Sequence, residues 1–235
     1  MELRYPPAYA RYIPSTSSKR TFRDRREAGR VLAGLLTGRR GRPDVIVLGL
    51  ARGGVPVGWE IAAALQVPLD VFLVRKLGVP NWPELAMGAI ASGGGLVVND
   101  HLIQSLGITS EQLDAVIRRE TDELHRREAA YRHGDPVVDL DGRDVILVDD
   151  GIATGASMFA ALQAVRAAGP ARVVVAAPVG PRSAYRRLCE VADEVVLAVI
   201  PDRFEAVGQV FADFHQVSDD EVRAVLATPT VPSGA

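Results

Sequence analysis

The sequence predicts an α/β domain, a mostly parallel, doubly wound sheet flanked by helices and carrying a flexible hairpin excursion. Three observations predict it. Short uninterrupted apolar runs recur, among them DVIVLGL from Asp44, VILV from Val145, RVVVAAPVG from Arg172 and DEVVLAVIP from Asp193. Runs of this length and kind are buried on both faces of a parallel sheet. Between them lie segments with helical periodicity, and the two alternate from Asp44 to Pro201. Such alternation builds βαβ units with helices on both faces.

The elements follow in chain order. Residues 1–20 carry three prolines and a Ser/Thr cluster without periodicity, and are expected to form an arm or tail. FRDRREAGRVLAGLLTG reads as a helix. Ala28, Val31, Leu32, Leu35 and Leu36 share a face, Asp24 is the N-cap, Gly38 lies near the end, and the arginines fall largely toward solvent. DVIVLGL is a buried strand, Val55 to Leu65 a helix with an early proline, and PLDVFLVRKL a second buried strand ending at Arg75 and Lys76. The segment 78–99 has two apolar runs separated by Ser92 and three glycines, which predicts a hairpin on a mobile excursion.

A long helix is expected over 109–133, opened by a Thr109/Gln112 capping box. Its RRETDELHRRE stretch reads as a solvated face with ion pairs one turn apart. After a strand ending at Asp149 come a loop, a helix stopped by Gly169 and Pro170, a strand, a helix around Ser183 to Val191 and a last strand. Residues 228–235 read as a tail, so the expected folded domain is 21–227.

Composition narrows the function classes. Of 235 residues 48% are hydrophobic, enough for a sizeable core. Twenty-seven basic against 29 acidic side chains leave a net charge of −2, so no nucleic-acid or anionic-membrane partner is indicated and any anion site is local. Cys189 is the only cysteine; it excludes an intrachain disulfide or a multi-thiolate zinc site and reads as core packing. The first residues lack an apolar signal core, and no stretch reaches the roughly 18 apolar residues of a membrane span, so a cytoplasmic protein is expected.

Two loops carry chemistry, and both follow a strand and precede a helix. In VILVDDGIATGAS, Gly151, Ala153, Gly155 and Ala156 are small enough to let backbone N–H groups approach an anion. Thr154 and Ser157 add hydroxyls, and the following helix adds its positive end. This is neither a Walker loop nor a GxGxxG loop. Asp149 and Asp150 repel a phosphate and must face something else. A sugar diol, whose two hydroxyls donate to carboxylates, is suitable, and the pair can also hold magnesium directly or through water. The combination suits a ribose 5-phosphate; the plainer alternative is a turn residue beside a solvating strand end. In GLARGGVPVG, Arg52 offers a planar fork to phosphate oxygens and Gly53 and Gly54 admit main-chain donors, or else form only a tight turn beside a surface cation.

These residues resemble the type I phosphoribosyltransferases. The signature of that family for 5-phosphoribosyl 1-diphosphate (PRPP) is an apolar strand, two acids, small residues and a Thr-Gly turn. FRDRREAG, RGGVPV, DVFLVRKLG, PELAMGAI, VDDGIATGAS and FHQVSDDEV extend the likeness to bacterial members of undefined acceptor, over about 22–226. The resemblance implies a Mg2+-dependent transfer of phosphoribose from PRPP to a nitrogenous, nucleobase-like acceptor in nucleotide metabolism, with release of diphosphate. It assigns Asp149 and Asp150 to the ribose hydroxyls and to the metal. Gly151, Ile152, Ala153, Thr154, Gly155, Ala156 and Ser157 go to the 5-phosphate, and Ala51, Arg52, Gly53, Gly54 and Lys76 to the diphosphate. Arg52 and the acid pair become the catalytic set, the 78–99 excursion takes the place of the closing loop, and a homodimer is implied. Ala51 stands where relatives often have proline, which weakens the case for an unusual backbone there, and Ala156-Ser157 replaces Gly-Thr.

For the acceptor, Phe204 is the candidate stacking residue, with ordinary packing the alternative. Glu84 could polarise an acceptor or bind a loop partner, with helix capping or surface placement the alternatives. His101, His125, His133 and His215 show no catalytic or ligand spacing and read as structural. Two other functions stay open: a regulatory PRPP sensor without efficient chemistry, and a generic nucleotide-binding flavodoxin-like domain, which leaves the acid pair unexplained.

Overall fold

A computed structural model describes residues 11–12, 21–132 and 137–231. The expected N-terminal arm, apart from 11–12, lies outside the described residues, as do His133 and residues 232–235. The elements are β1 (Arg11–Tyr12), α1 (Arg25–Leu35), β2 (Val45–Leu50), α2 (Gly54–Leu65), β3 (Leu69–Phe72), β4 (Val74–Val79), β5 (Trp82–Ala91) and β6 (Gly95–Val98). They continue with α3 (Asp100–Ser105), α4 (Ser110–Arg132), β7 (Asp144–Val148), α5 (Ala156–Ala167), β8 (Arg172–Val179), α6 (Arg182–Cys189), β9 (Glu194–Val199) and α7 (Asp219–Leu226).

The main sheet runs β1-β9-β8-β7-β2-β3, with every neighbouring pair parallel. Its central strands are buried along almost their whole length, as their continuous apolar runs require. Side chains alternate between two cores. Ile46, Leu48, Val145 and Leu147 pack with Met158, Leu162 and Val165 of α5 on one face. Val45, Val47, Ile146 and Val148 pack with Leu32 of α1 and Ile61 of α2 on the other. The sheet is therefore doubly wound, as the sequence predicts.

Helix ends match their signals: the Asp24 side chain accepts from Glu27 N, and Thr109 and Gln112 exchange hydrogen bonds at 3.0 and 3.3 Å. Cys189 is half-buried against the first core.

Three expectations need correction. PLDVFLVRKL is not one strand: β3 ends at Phe72, and Val74–Val79 belongs to a second sheet of order β4-β5-β6. Ser92 makes the break by accepting from Leu73 N at 3.0 Å, while Val74 pairs with Ala91 across the new sheet. The excursion is accordingly three antiparallel strands rather than a hairpin alone, with the expected turn at Ser92–Gly94 joining β5 to β6. It rests on a third core that joins Leu77, Met87 and Ile90 to Val116, Leu124 and Tyr131 of α4 and Val222 of α7. Lastly, Arg25 of α1 is buried, not solvent-facing. The expected C-terminal tail is tied down in part: Thr230 Oγ1 donates to Val67 O, and Thr228 O accepts from Trp59 Nε1.

Candidate active site

Strand β2 connects outward to β3, whereas its neighbour β7 connects to β8 and β9 in the opposite direction. Between two such strands the connecting helices leave to opposite faces and a crevice opens beyond the carboxyl ends. The loops that follow Leu50 and Val148 are the two singled out by composition, and they touch. A β-carbon at Gly53 would stand 2.0 Å from Asp150 Oδ2, and one at Gly54 2.4 Å from the Val148 carbonyl oxygen. Only glycine permits this approach. The Ala51–Arg52 peptide is cis, so alanine at 51 coexists with an unusual backbone, contrary to the sequence expectation.

The β7 loop forms a cradle. Gly155, at φ 83°, turns the chain into α5 and has no side chain to cap its first turn, while Thr154 Oγ1 accepts from Ala156 N at 3.3 Å. A cavity of about 140 Å3 is lined by residues that include Asp149, Gly151, Ile152, Thr154, Gly155 and Ser157. Ala153, Thr154, Ala156 and Ser157 are exposed, and the positive helix end favours an anion. The Ile152 side chain packs into the core, and its N–H donates to Val179 O at 2.8 Å. Gly151 is covered by Val207, whose Cγ1 would be 2.2 Å from an added β-carbon.

Asp149 and Asp150 are half-buried side by side. Burial pushes both carboxyls above the usual range; the neighbouring Asp150 charge adds to the shift at Asp149, and the Arg25 guanidinium opposes it at Asp150. Asp149 Oδ1 accepts from Asp150 N at 2.8 Å, and Asp150 Oδ2 accepts from Arg25 Nε at 2.7 Å.

The expected cations have different partners. Arg52 Nη1 lies 3.5 Å from Asp219 Oδ1, which also accepts from Tyr131 Oη at 2.6 Å. Lys76 is inside β4 rather than at a strand end. Its Nζ donates to Glu84 O at 3.4 Å, and it lines a cavity of about 700 Å3 with Asn99, His101, Ser157 and Phe159, none of which is in the Arg52 loop. Glu84 is fully exposed on β5, not in a helix. Phe204 is half-buried against the core under α1 and α2, as is Val207. His125 is exposed on α4.

Sequence reasoning missed Arg25 and the strap that holds it. Phe211 stacks on Phe214 at 4.9 Å, the Arg25 guanidinium lies 4.0 Å from the Phe214 ring centroid, and Arg25 Nη1 donates to His215 O at 2.8 Å. His215 itself sits between Asp213 and Glu221 at 3.0 and 2.9 Å, contacts that raise its pKa. The available signal was the pair of segments FRDRREAG and FHQVSDDEV, whose spacing says nothing of their meeting.

A family model described as phosphoribosyl transferase domain matches residues 81–214. Over 205 residues, 87% of this chain, the sequence is 50% identical to "Putative phosphoribosyl transferase Rv0571c" of Mycobacterium tuberculosis strain H37Rv. It is equally similar to the corresponding protein of strain CDC 1551; the match covers 46% of that relative, so the chain spans about half the length of the curated relatives it matches. The crystal structure of TT1426 from Thermus thermophilus superposes with a TM-score of 0.77 at 46% identity, covering 88% of this chain and 97% of that one.

Proposed function

This chain belongs to the phosphoribosyl transferase domain family, and from that membership we propose that it transfers the 5-phosphoribosyl group of PRPP to a nitrogenous, nucleobase-like acceptor. The observation that carries the reading is the meeting of the acid pair and its anion cradle with the Arg52 loop at one switch point, Gly53 against Asp150. A ligand with a phosphate in the cradle and its diol on the carboxylates presents its other end to the Arg52 loop. The acceptor nitrogen forms a bond to ribose C1 as the C1–oxygen bond breaks; diphosphate leaves with the electron pair, and the acceptor's N–H proton passes to solvent or a base.

Each residue then has a task. The exposed amides and hydroxyls around Thr154 and Ser157 hold the 5-phosphate, while Asp149 and Asp150 accept from the ribose hydroxyls and favour positive charge developing on the ring. Arg52 stabilises charge growing on the leaving diphosphate. The acid pair fits magnesium: it supplies hard oxygen ligands, and its burial with one guanidinium for two carboxylates leaves negative charge to be balanced. Bound there with the diphosphate, magnesium would act as a Lewis acid toward the leaving group. Lys76 shares a cavity with Ala156 and Ser157 of the cradle and adds positive charge from the excursion side.

The test is a panel of nucleobases and analogues with magnesium and PRPP, following diphosphate release. A defined nucleotide product supports transfer. Saturable PRPP binding with no release across the panel supports a sensor instead, and absence of PRPP binding overturns the site.

A further inference from the structure

The segment FRDRREAG opens α1, far in sequence from either loop of the site, yet its second arginine reaches the acid pair. We propose that Arg25 is the positioning residue of that pair, clamped by the Phe211–His215 strap so that Asp150 is held oriented toward the ribose. The inference rests on the PRPP reading of the site and adds to it a residue outside both signature loops.

Three contacts fix the guanidinium. Nε donates to Asp150 Oδ2 at 2.7 Å, Nη1 donates to the His215 carbonyl at 2.8 Å, and the plane lies over Phe214 at 4.0 Å. Only 9% of the Arg25 side chain and 16% of that of Asp150 are exposed, so the pair is shielded from solvent screening. The strap is itself anchored. Phe22 N donates to Val210 O, Ala212 N to Phe22 O and Asp213 N to Arg23 O, which ties it to the residues just before α1. Its far end runs into α7, where Ser218 and Glu221 form a reciprocal capping box. A guanidinium held on two edges and one face has one available orientation, and it passes that orientation to Asp150.

The charges that bear on Asp150 are Asp149 from its own loop and Arg25 from α1; the β2 loop presents only the Gly53 backbone, since Arg52 pairs with Asp219. Asp213 and His215 lie beyond Arg25 on the strap and pair with each other. Without Arg25 the carboxylate loses the donor that fixes its orientation. A residue that merely packed α1 would lower stability and leave PRPP affinity unchanged.

The experiment is calorimetric titration of the full chain with magnesium and PRPP, set beside the melting temperature of each variant without ligand. Arg25→Gln is expected to weaken PRPP binding about tenfold or more. Arg25→Lys restores the charge without the fork or the stacked plane, and is expected to recover only part of that affinity. Wild-type affinity in Arg25→Gln, whatever its melting temperature, overturns the proposal. If that variant gives no cooperative melting, Phe214→Leu decides: it removes the ring beneath the guanidinium and is expected to weaken PRPP binding by less. An affinity identical to wild type there overturns the proposal. A wild-type chain that binds no PRPP at all defeats the reading of the site instead.

Discussion

Gly53 of the β2 loop and Asp150 of the β7 loop are in direct contact, with the position of an added β-carbon 2.0 Å from Oδ2 and 2.4 Å from the carboxyl carbon. The carboxylate cannot retreat freely, because Arg25 holds the same oxygen from the other side. Gly53→Ala therefore displaces Asp150 or the Arg52 loop. The expected result is a loss of PRPP affinity of about tenfold or more, with a folded protein by circular dichroism.

Asp149→Asn together with Asp150→Asn removes both charges while keeping shape. Magnesium and PRPP are expected to raise the melting temperature of the wild type and to leave that of the double variant unchanged. Equal stabilisation of the two proteins would sink the ribose-diol assignment.

Arg52→Ala is expected to lower turnover by about 10² to 10³ at saturating PRPP, the usual cost of losing one preorganised donor to developing charge. Its partner makes a contrasting case. Asp219 lies 3.5 Å from Arg52 in a partly exposed pair, which a diphosphate on Arg52 would have to displace. Asp219→Asn is expected to tighten PRPP binding by about twofold to fivefold, read by the same calorimetry.

The strap has its own pH dependence. Hydrogen bonds from Ser218 N, His215 and Ser218 Oγ bring the Glu221 carboxyl down to about 2, below its unfolded value. Its contribution to stability is therefore full above an unfolded pKa of about 4.3 and lost as pH falls toward 2. His215 has the opposite sign: its raised pKa gives a contribution complete below about pH 6.5 and lost as pH rises through the folded value. Melting curves should show Glu221→Gln converging on wild type near pH 2, and His215→Gln converging on it in the alkaline range.

Much of the site was legible because it is local. Strand, acids, small residues and helix in VILVDDGIATGAS are consecutive, and a parallel strand delivers its following loop to the sheet's carboxyl rim. Ile152 shows the limit of that reasoning. It lies inside the signature, yet its amide pairs with Val179, a partner 27 residues away that no local pattern names. The placement of Lys76 inside β4 was hidden for a similar reason, since an apolar run with no visible break concealed the change of sheet at Leu73.

Period, apolar run length and cap chemistry determine the alternation of strands and helices here, because they act within a few residues. The same locality placed both candidate loops after strands. What tertiary structure alone decided was which strands became neighbours and what reached the acid pair from outside. The order of β2 beside β7 sets Gly53 against Asp150, and the docking of α1 under the strap brings Arg25 across a separation of 125 residues. The physical reason is that a buried carboxylate needs a cation wherever the fold can provide one, and packing rather than sequence proximity selects it.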